Sequence, residues 1–270
     1  MSEFNKYVLN TGSEAARRLA VVNEVHGADT RDALKLAGLS EGMRVADFGC
    51  GVGILSRYMA EHVGATGTVI GIDASEDQVA ESQRQSAQLG VTNTHFQRGD
   101  AAESGLPDNS FDFVFSRFVL MHMAAPHLAI REMIRVLKPS GTLLVEDGDF
   151  SSPFSYPDSP AYRRCFDLYR IAVRIHGADP LIGRELYSMV RGEGLADVQV
   201  RLVQPVVTTG EAKRLPEWTL EECGPFLIER KLTSAEELNA IGVQLDRLAL
   251  DDNVLVGMAR VSQVWGTKLA

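Results

Sequence analysis

Short apolar segments alternate with amphipathic helical segments from about residue 44 to residue 146, and this alternation limits the possible folds more than any other feature. Strands that alternate with helices form a parallel sheet with helices on both of its faces. The segments with strand character are 44–48, 68–73, 94–97, 111–115 and 141–146. Between them, Ser75 and Gln78 form a capping-box pattern that begins a helix. The sequence therefore predicts an α/β fold.

The segments outside this alternation are interpreted as helical additions to the same sheet. The predicted core consists of about 38–150 and 181–210 together with 252–270. The helical pieces, which are expected to cover the site as a lid, are predicted at about 1–37, 151–180 and 211–250. Two further strands are predicted at 198–203 and 254–264, and 212–248 is predicted as one helical stretch. We therefore expect residues 1–270 to form a single domain.

Composition excludes several classes of partner. A formal net charge of −9 disfavours nucleic acid, because binding to the phosphate backbone requires clustered Lys and Arg. The chain has no apolar run of about 18 residues and no signal-peptide pattern, so no membrane partner is expected. Three widely spaced cysteines suit a reducing compartment and have no metal-ligand spacing. We expect a cytoplasmic monomer or homodimer.

A glycine-rich turn follows the first predicted strand. Gly49, Gly51 and Gly53 permit a tight turn and a close approach of the backbone to a ligand. The dinucleotide fingerprint would need a glycine where this chain has Ile54, and no Lys-Ser or Lys-Thr pair follows as in a phosphate-binding P-loop. A turn that serves only close packing is the alternative interpretation.

An acid, Asp73, ends the second predicted strand. A carboxylate at this position can accept hydrogen bonds from both hydroxyls of a ribose. Its alternative role is to stabilise the start of the following helix beside Ser75 through the helix dipole. The glycine turn that precedes it favours the ribose interpretation.

Five motifs in order resemble those of class I S-adenosylmethionine-dependent methyltransferases, over about 40–147. They are Val45-Ala46-Asp47-Phe48-Gly49-Cys50-Gly51-Val52-Gly53, Gly71-Ile72-Asp73-Ala74-Ser75, Gly99-Asp100-Ala101, Phe111-Asp112 with Ser116-Arg117, and Leu137-Lys138-Pro139-Ser140-Gly141-Thr142. The small-molecule enzymes of quinone biosynthesis and of natural-product (secondary) metabolism are the most similar members. Two departures, Ala46 and Phe48, still suit a buried strand end.

The resemblance implies a Rossmann-like fold, with a seven-stranded mostly parallel sheet, helices on both faces and an antiparallel last strand. It also implies S-adenosyl-L-methionine as the cofactor and S-adenosyl-L-homocysteine as its product. The cofactor-binding residues that follow from the motifs and from nearby candidates are Asp47, Gly49, Cys50, Gly51, Asp73, Ala74, Gln78, Asp100, Ala101, Arg117 and Tyr7.

Three more of these assignments have alternatives. Asp100 is expected to accept from the adenine amino group, or else to cap the turn that follows it. Arg117 is expected to meet the methionine carboxylate of the cofactor, or else to form a surface ion pair. Tyr7 is expected to close over the cofactor, or else to lie on an ordinary solvated helix.

Methyl transfer is an in-line displacement that mainly requires alignment and exclusion of water, and a general base only when the acceptor loses a proton. His122 is the candidate catalytic base, with a packed histidine as the alternative. The acids Glu146, Asp147 and Asp149 are candidates for holding the acceptor, and no metal is expected there.

Aromatic residues are frequent between 150 and 169, where they would either line a pocket for a flat, apolar acceptor or fill a core. The predicted function is methyl transfer to a small molecule, at oxygen, nitrogen or carbon. A relative that binds the cofactor without transferring its methyl group remains the alternative, since it would keep the same residues.

Overall fold

The computed structural model describes residues 13–269, with side chains from residue 16 onward. Its strands are β1 (Arg44–Phe48), β2 (Thr68–Asp73), β3 (Thr94–Arg98), β4 (Phe111–Arg117), β5 (Leu137–Asp149), β6 (Phe154–Tyr156), β7 (Ala196–Val203), β8 (Val206–Val207), β9 (Leu255–Gly257) and β10 (Arg260–Thr267). Its helices are α1 (Ser13–Leu36), α2 (Ile54–Val63), α3 (Glu76–Gln88), α4 (Pro126–Val136), α5 (Pro160–Ile175), α6 (Leu186–Gly192), α7 (Leu215–Glu229) and α8 (Ala235–Leu250).

Seven strands form the main sheet in the order β3-β2-β1-β4-β5-β10-β7. The strands from β3 to β5 are parallel, and β10 lies antiparallel between β5 and β7. Four of the five residues of β1 are buried, as expected for a central strand covered by helices on both faces. This topology confirms the predicted seven-stranded, mostly parallel Rossmann-like sheet with an antiparallel last strand.

The strand order reverses between β1 and β4. The chain runs outward from β1 through β2 to β3 and then crosses back to β4 on the other side of β1. A crevice opens where the helices that follow neighbouring strands diverge to opposite faces of the sheet. The carboxyl ends of β1 and β4 are therefore the place where a ligand is expected.

The predicted strand at 254–264 is wrong in one respect: it is two strands that belong to different sheets. β9 pairs with β6 and β8 in a small three-stranded sheet, whereas β10 enters the main sheet. Met258, between them, donates its backbone amide to Pro205 O at 2.9 Å. The apolar pattern continues across this break, and only the pairing partners change.

The predicted helical stretch at 212–248 is likewise two helices, α7 and α8. Lys231 adopts a left-handed backbone conformation (φ 58°) after α7, which ends that helix. Ser234 then accepts a hydrogen bond from the amide of Glu237 at 3.2 Å and begins α8 as its N-cap.

The helices α5, α7 and α8 share one apolar core with α1 above the carboxyl ends of the sheet. Buried members of this core include Val21, Tyr162, Cys223 and Leu245. A separate central core lies between the sheet and α4, α5 and α6. Among residues 13–269, no helix is both long enough and apolar enough to span a membrane.

Candidate functional site

A cavity of about 870 Å³ lies at the carboxyl ends of β1 to β4, beneath α1, α5 and α7. Ten of the eleven residues predicted to bind the cofactor line it, as does the candidate base: Asp47, Gly49, Cys50, Gly51, Asp73, Ala74, Gln78, Asp100, Ala101, Arg117 and His122. The eleventh, Tyr7, lies outside the described residues. The structure thus gathers motifs that are up to 75 residues apart into one cavity (47 to 122).

The glycine turn is attached to the end of β2. Gly49 and Cys50 donate their amides to Ile72 O at 2.8 and 3.0 Å. Gly49 and Gly51 have φ angles of 72° and 53°, a region that side chains with a Cβ rarely adopt. A Cβ on Gly49 would approach Val119 Cγ2 to 2.1 Å, whereas one on Gly51 would meet nothing closer than Leu19 at 3.6 Å. The turn therefore needs glycine both for packing and to keep space open in the cavity.

Asp73 is held by two backbone amides. Gly51 N donates to Oδ2 and Ser75 N donates to Oδ1, each at 2.9 Å. Burial raises the pKa of this carboxyl, and the two amide hydrogen bonds oppose that rise. Each carboxylate oxygen has two acceptor sites, so both oxygens keep one for a ligand. The two predicted roles of Asp73, stabilising the helix start beside Ser75 and binding the two ribose hydroxyls, are therefore compatible.

Gln78 and Asp100 complete this end of the cavity. Gln78 is buried, and its Oε1 has no hydrogen-bond partner among the described residues, a costly state for a buried carbonyl unless a ligand satisfies it. Asp100 is exposed and accepts the amide of Ala102 at 2.8 Å through Oδ1. The capping role considered for Asp100 is therefore present, and its second oxygen remains available to a ligand.

Asp47 lies deeper, at the start of the glycine turn. Its side chain is 2% exposed, and Ser56 donates its hydroxyl to Oδ2 at 2.5 Å. Burial raises the pKa of Asp47 to about 6, while the Ser56 hydrogen bond and the charge of Arg117 act in the opposite direction. A buried carboxylate here favours a cationic ligand group and disfavours a phosphate.

Arg117 is not a surface residue, so its alternative role in a surface ion pair is not observed. Its Nη1 donates to Thr30 Oγ1 at 3.0 Å, and Thr30 donates in turn to Glu146 Oε2 at 2.7 Å. Burial lowers the pKa of Arg117, and the charges of Glu146 and Asp47 oppose this. Arg117 thus presents a positive charge to the cavity, close to Asp47.

The three acids at the carboxyl end of β5 do not line the cavity, contrary to the expectation that they hold the acceptor. Glu146 is 2% exposed and also accepts from Gln263 Nε2 at 2.8 Å. Asp147 accepts the amides of Met121 and Gly148, and Asp149 pairs with Arg184 and Arg260. No group of three His, Cys, Asp or Glu side chains that could hold a metal occurs in the described part of the chain.

His122 lines the cavity from a 3-10 turn, Leu120–His122. Burial lowers its pKa to about 3, and the charge of Arg18 acts in the same direction. The ring is therefore neutral at physiological pH and can accept a proton, but it is a weak base. This differs from the near-neutral base that the sequence suggested.

The remaining wall of the cavity comes from the helical pieces. Phe150, Phe166 and Tyr169 line it, with ring centroids 5.0 Å apart for Phe150–Tyr169 and 6.3 Å for Phe150–Phe166. Other aromatic residues of this segment serve elsewhere: Tyr162 is fully buried in the helical core, and Tyr156 is exposed on β6. Both interpretations of the aromatic excess therefore hold, for different residues.

Several lining residues escaped prediction because they lie on helices distant from the motifs. His26 reaches the cavity from α1, and His176 from the end of α5. His176 donates its Nδ1 hydrogen to Ala172 O at 2.8 Å, which leaves Nε2 as an acceptor. The helical spacing of Leu19, Val22 and His26 was the available signal, but spacing alone does not show which side of the sheet a helix covers.

Known proteins resemble this chain in sequence and in fold. The model of a family described as the methyltransferase domain matches residues 39–178. A demethylmenaquinone methyltransferase from Listeria monocytogenes is 33% identical over 146 residues, which is 54% of this chain and 59% of the relative. The chain thus spans less than two thirds of that relative's length.

Two solved structures share the architecture. One, an S-adenosylmethionine-dependent methyltransferase from Aquifex aeolicus, is 26% identical, with a TM-score of 0.50 over 66% of this chain and 84% of that one. The other, a cyclase, is 20% identical, with a TM-score of 0.54 over 98% of this chain and 86% of that one. The second likeness concerns the fold alone.

Proposed function

Because the chain belongs to the family of S-adenosylmethionine-dependent methyltransferases, as its motifs predict, we propose that it transfers the methyl group of S-adenosylmethionine to a flat, largely apolar small molecule. The observation that carries the proposal is one cavity that joins the glycine turn and the strand-end acids to an aromatic chamber under the helices. The acceptor class we favour is quinone-like, aromatic or natural-product in character.

The order of the strands supports a specific placement of the cofactor. Asp100, Asp73, the glycine turn and Arg117 lie at or just after the carboxyl ends of β3, β2, β1 and β4, which are neighbours in that order. Adjacent strands lie about 4.8 Å apart, so this series extends over about 14 Å. We assign adenine to Asp100 and Ala101, ribose to Asp73 and Gln78, and the amino-acid tail to Asp47 and Arg117. Gln78 Oε1, which has no hydrogen-bond partner within residues 13–269, and the open space beside Gly51 fit this assignment.

The opposite charges at the tail end suit a zwitterion. Asp47 would face the ammonium group, and Arg117 would face the carboxylate. A pyrophosphate in the same position would lie beside the buried Asp47 carboxylate, which disfavours a nicotinamide cofactor.

The acceptor then occupies the chamber lined by Phe150, Phe166 and Tyr169. Flat aromatic rings pack well against such walls, and the few polar groups nearby would orient them. The name of the Listeria relative, a demethylmenaquinone methyltransferase, supports a quinone-like acceptor. Methylation at carbon, oxygen or nitrogen is compatible with this chamber.

When bound, S-adenosylmethionine supplies an electrophilic methyl group and is released as S-adenosylhomocysteine. The contribution of the chain is to align the acceptor with that methyl group and to exclude water. His122, neutral and in the same cavity, is the candidate to accept the proton that a hydroxyl or ring acceptor loses.

We further propose that residues 1–270 act as one domain in the cytoplasm, as a monomer or homodimer. The core that α1 shares with α5, α7 and α8 supports the single domain. All three cysteines are unpaired, which suits a reducing compartment.

The test is incubation with methyl-labelled S-adenosylmethionine and a panel of phenols, quinones and nitrogen heterocycles, read by mass spectrometry. The expected result is one labelled class of acceptor, with an equal amount of S-adenosylhomocysteine. Calorimetric binding of S-adenosylhomocysteine without any labelled product would favour the non-methylating alternative, since the fold is shared with a cyclase. Absence of binding would reject the proposal altogether.

A further inference from the structure

His26 presents an unusual group to the cavity from the middle of α1. Its side chain is 8% exposed and lines the cavity, yet its Nδ1 is buried without a hydrogen-bond partner among the described residues. An unsatisfied buried nitrogen costs about 1–3 kcal/mol. An unsatisfied nitrogen in a side chain that lines a cavity is a candidate for a hydrogen bond with a ligand.

Its surroundings identify the end of the cavity that it serves. The imidazole contacts the Phe118 ring edge-on, with centroids 5.2 Å apart. Phe118 directly follows Arg117 in the chain. One helical turn further along α1, Thr30 accepts the hydrogen bond from Arg117. His26 therefore lies at the β4 end, with Arg117, and away from Asp73 and Asp100.

The charge of the neighbours determines which kind of ligand group fits. Burial, together with the charge of Arg117, lowers the pKa of His26 to about 3, so its ring is neutral. A ligand cation beside Arg117 would be repelled, whereas an anion would be attracted. The matching tautomer of His26 is the one that carries hydrogen on Nδ1, because an anion accepts and does not donate.

We propose that His26 is a cofactor-binding residue whose Nδ1–H donates to the carboxylate of the amino-acid tail, beside Arg117. This inference rests on the proposed function, because it takes S-adenosylmethionine as the ligand. It makes α1 part of the binding site: the helix closes the tail end of the cavity and contributes a neutral donor where a second cation would be costly to bury. Thr30, one turn after His26 on α1, holds Arg117 by accepting its hydrogen bond. The two donors, His26 and Arg117, are therefore positioned together.

The test compares three ligands by calorimetry: S-adenosylhomocysteine, its analogue without the carboxylate, and 5′-methylthioadenosine, which lacks the amino-acid tail. We expect His26→Ala to weaken binding of S-adenosylhomocysteine by about ten- to hundredfold, the range for a hydrogen bond to a charged group. Binding of the two analogues should change less than about threefold, because they lack the group that His26 contacts.

Two further variants identify the nitrogen involved. The amide of Asn lies close to the position of Nδ1, whereas the amide of Gln reaches toward Nε2. His26→Asn should therefore keep most of the affinity and His26→Gln should lose it. The comparison of His26→Asn with His26→Gln also tests the inference if His26→Ala does not fold, because both variants retain a polar side chain of similar size.

Three outcomes would overturn the inference. They are an unchanged affinity for S-adenosylhomocysteine in His26→Gln, an equal loss of affinity for all three ligands, and better retention by Gln than by Asn. Failure of the unmodified protein to bind S-adenosylhomocysteine would instead reject the proposed function.

Discussion

The backbone amide of Gly51 donates a 2.9 Å hydrogen bond to Oδ2 of Asp73. This contact joins the glycine turn after β1 to the acid that ends β2, so the two strongest motifs of the sequence form one structural unit. The same contact orients the Asp73 carboxylate and leaves its remaining acceptor sites toward the cavity.

Replacement of Asp73 should therefore affect binding more than folding. We expect Asp73→Ala to weaken binding of S-adenosylhomocysteine about a hundredfold, because two hydrogen bonds from the ribose to a charged acceptor are lost. Calorimetry measures the change, and Asp77→Ala, which removes an exposed acid from the first turn of α3, is the matched control. An affinity within threefold of the unmodified protein would remove Asp73 from the site.

Gly51→Ala tests the need for open space beside the turn. Alanine at φ 53° costs about 1–2 kcal/mol of stability, and its methyl group would enter the cavity. Gly90→Ala is the control, because Gly90 has a similar φ of 68° and no atom within 4 Å of the added Cβ. We expect denaturation experiments to show similar losses of stability in Gly51→Ala and Gly90→Ala. Only Gly51→Ala should lose affinity for the cofactor. Equal affinities in the two variants would contradict the assignment of the turn.

Glu146→Gln should make stability less dependent on pH. Burial raises the pKa of Glu146 to about 7, from 4.5, so the folded protein binds this proton more tightly than the unfolded chain. The protonated form contributes roughly 3 kcal/mol to the free energy of unfolding. This contribution is complete below about pH 4.5 and is lost as the pH rises to about 7. Glutamine can donate to Thr30 and accept from Gln263, so it avoids this loss.

The measurement is the free energy of unfolding of both proteins at pH 4.5 and 7.5. We expect the variant to gain relative to the unmodified protein as pH rises between these values. A constant difference, or one of opposite sign, would show that Glu146 remains ionised in the folded state.

His122→Ala should lower kcat by about a hundredfold, the lower end of general-base effects, because a base with a pKa of about 3 is weak. With this pKa, the His122 ring titrates far below the pH range of the assay. The pH profile of kcat/KM should therefore keep its shape between pH 5.5 and 9 in the variant. An inflection near pH 6.5 that disappears with His122 would contradict a neutral ring in the free enzyme.

NADH should not raise the melting temperature, whereas S-adenosylhomocysteine should raise it. The physical reason is the buried carboxylate of Asp47, which disfavours a pyrophosphate at the glycine turn. Thermal unfolding at equal, saturating concentrations of the two ligands makes the comparison. A comparable shift with NADH would overturn the cofactor assignment.

Local sequence patterns were enough to predict the sheet and the residues proposed to bind the cofactor. Asp47, Asp73 and Asp100 each lie at or just after the carboxyl end of a predicted strand, and the carboxyl ends of parallel strands meet at one edge of a sheet. Their convergence could therefore be inferred from local patterns alone. The seven-stranded topology followed in the same way from the resemblance that these motifs carry.

The surroundings of those acids, in contrast, depend on contacts between distant parts of the chain. Glu146 also lies near the carboxyl end of a strand, but it is buried away from the cavity, where it accepts hydrogen bonds from Thr30 and Gln263. His26 reaches the cavity because α1 packs against the end of β4, where His26 contacts Phe118, a residue about 90 positions away in the chain. Such long-range packing depends on how side chains of separate elements fit together, and no periodicity within one segment records it. The acceptor chamber under the helices has the same origin.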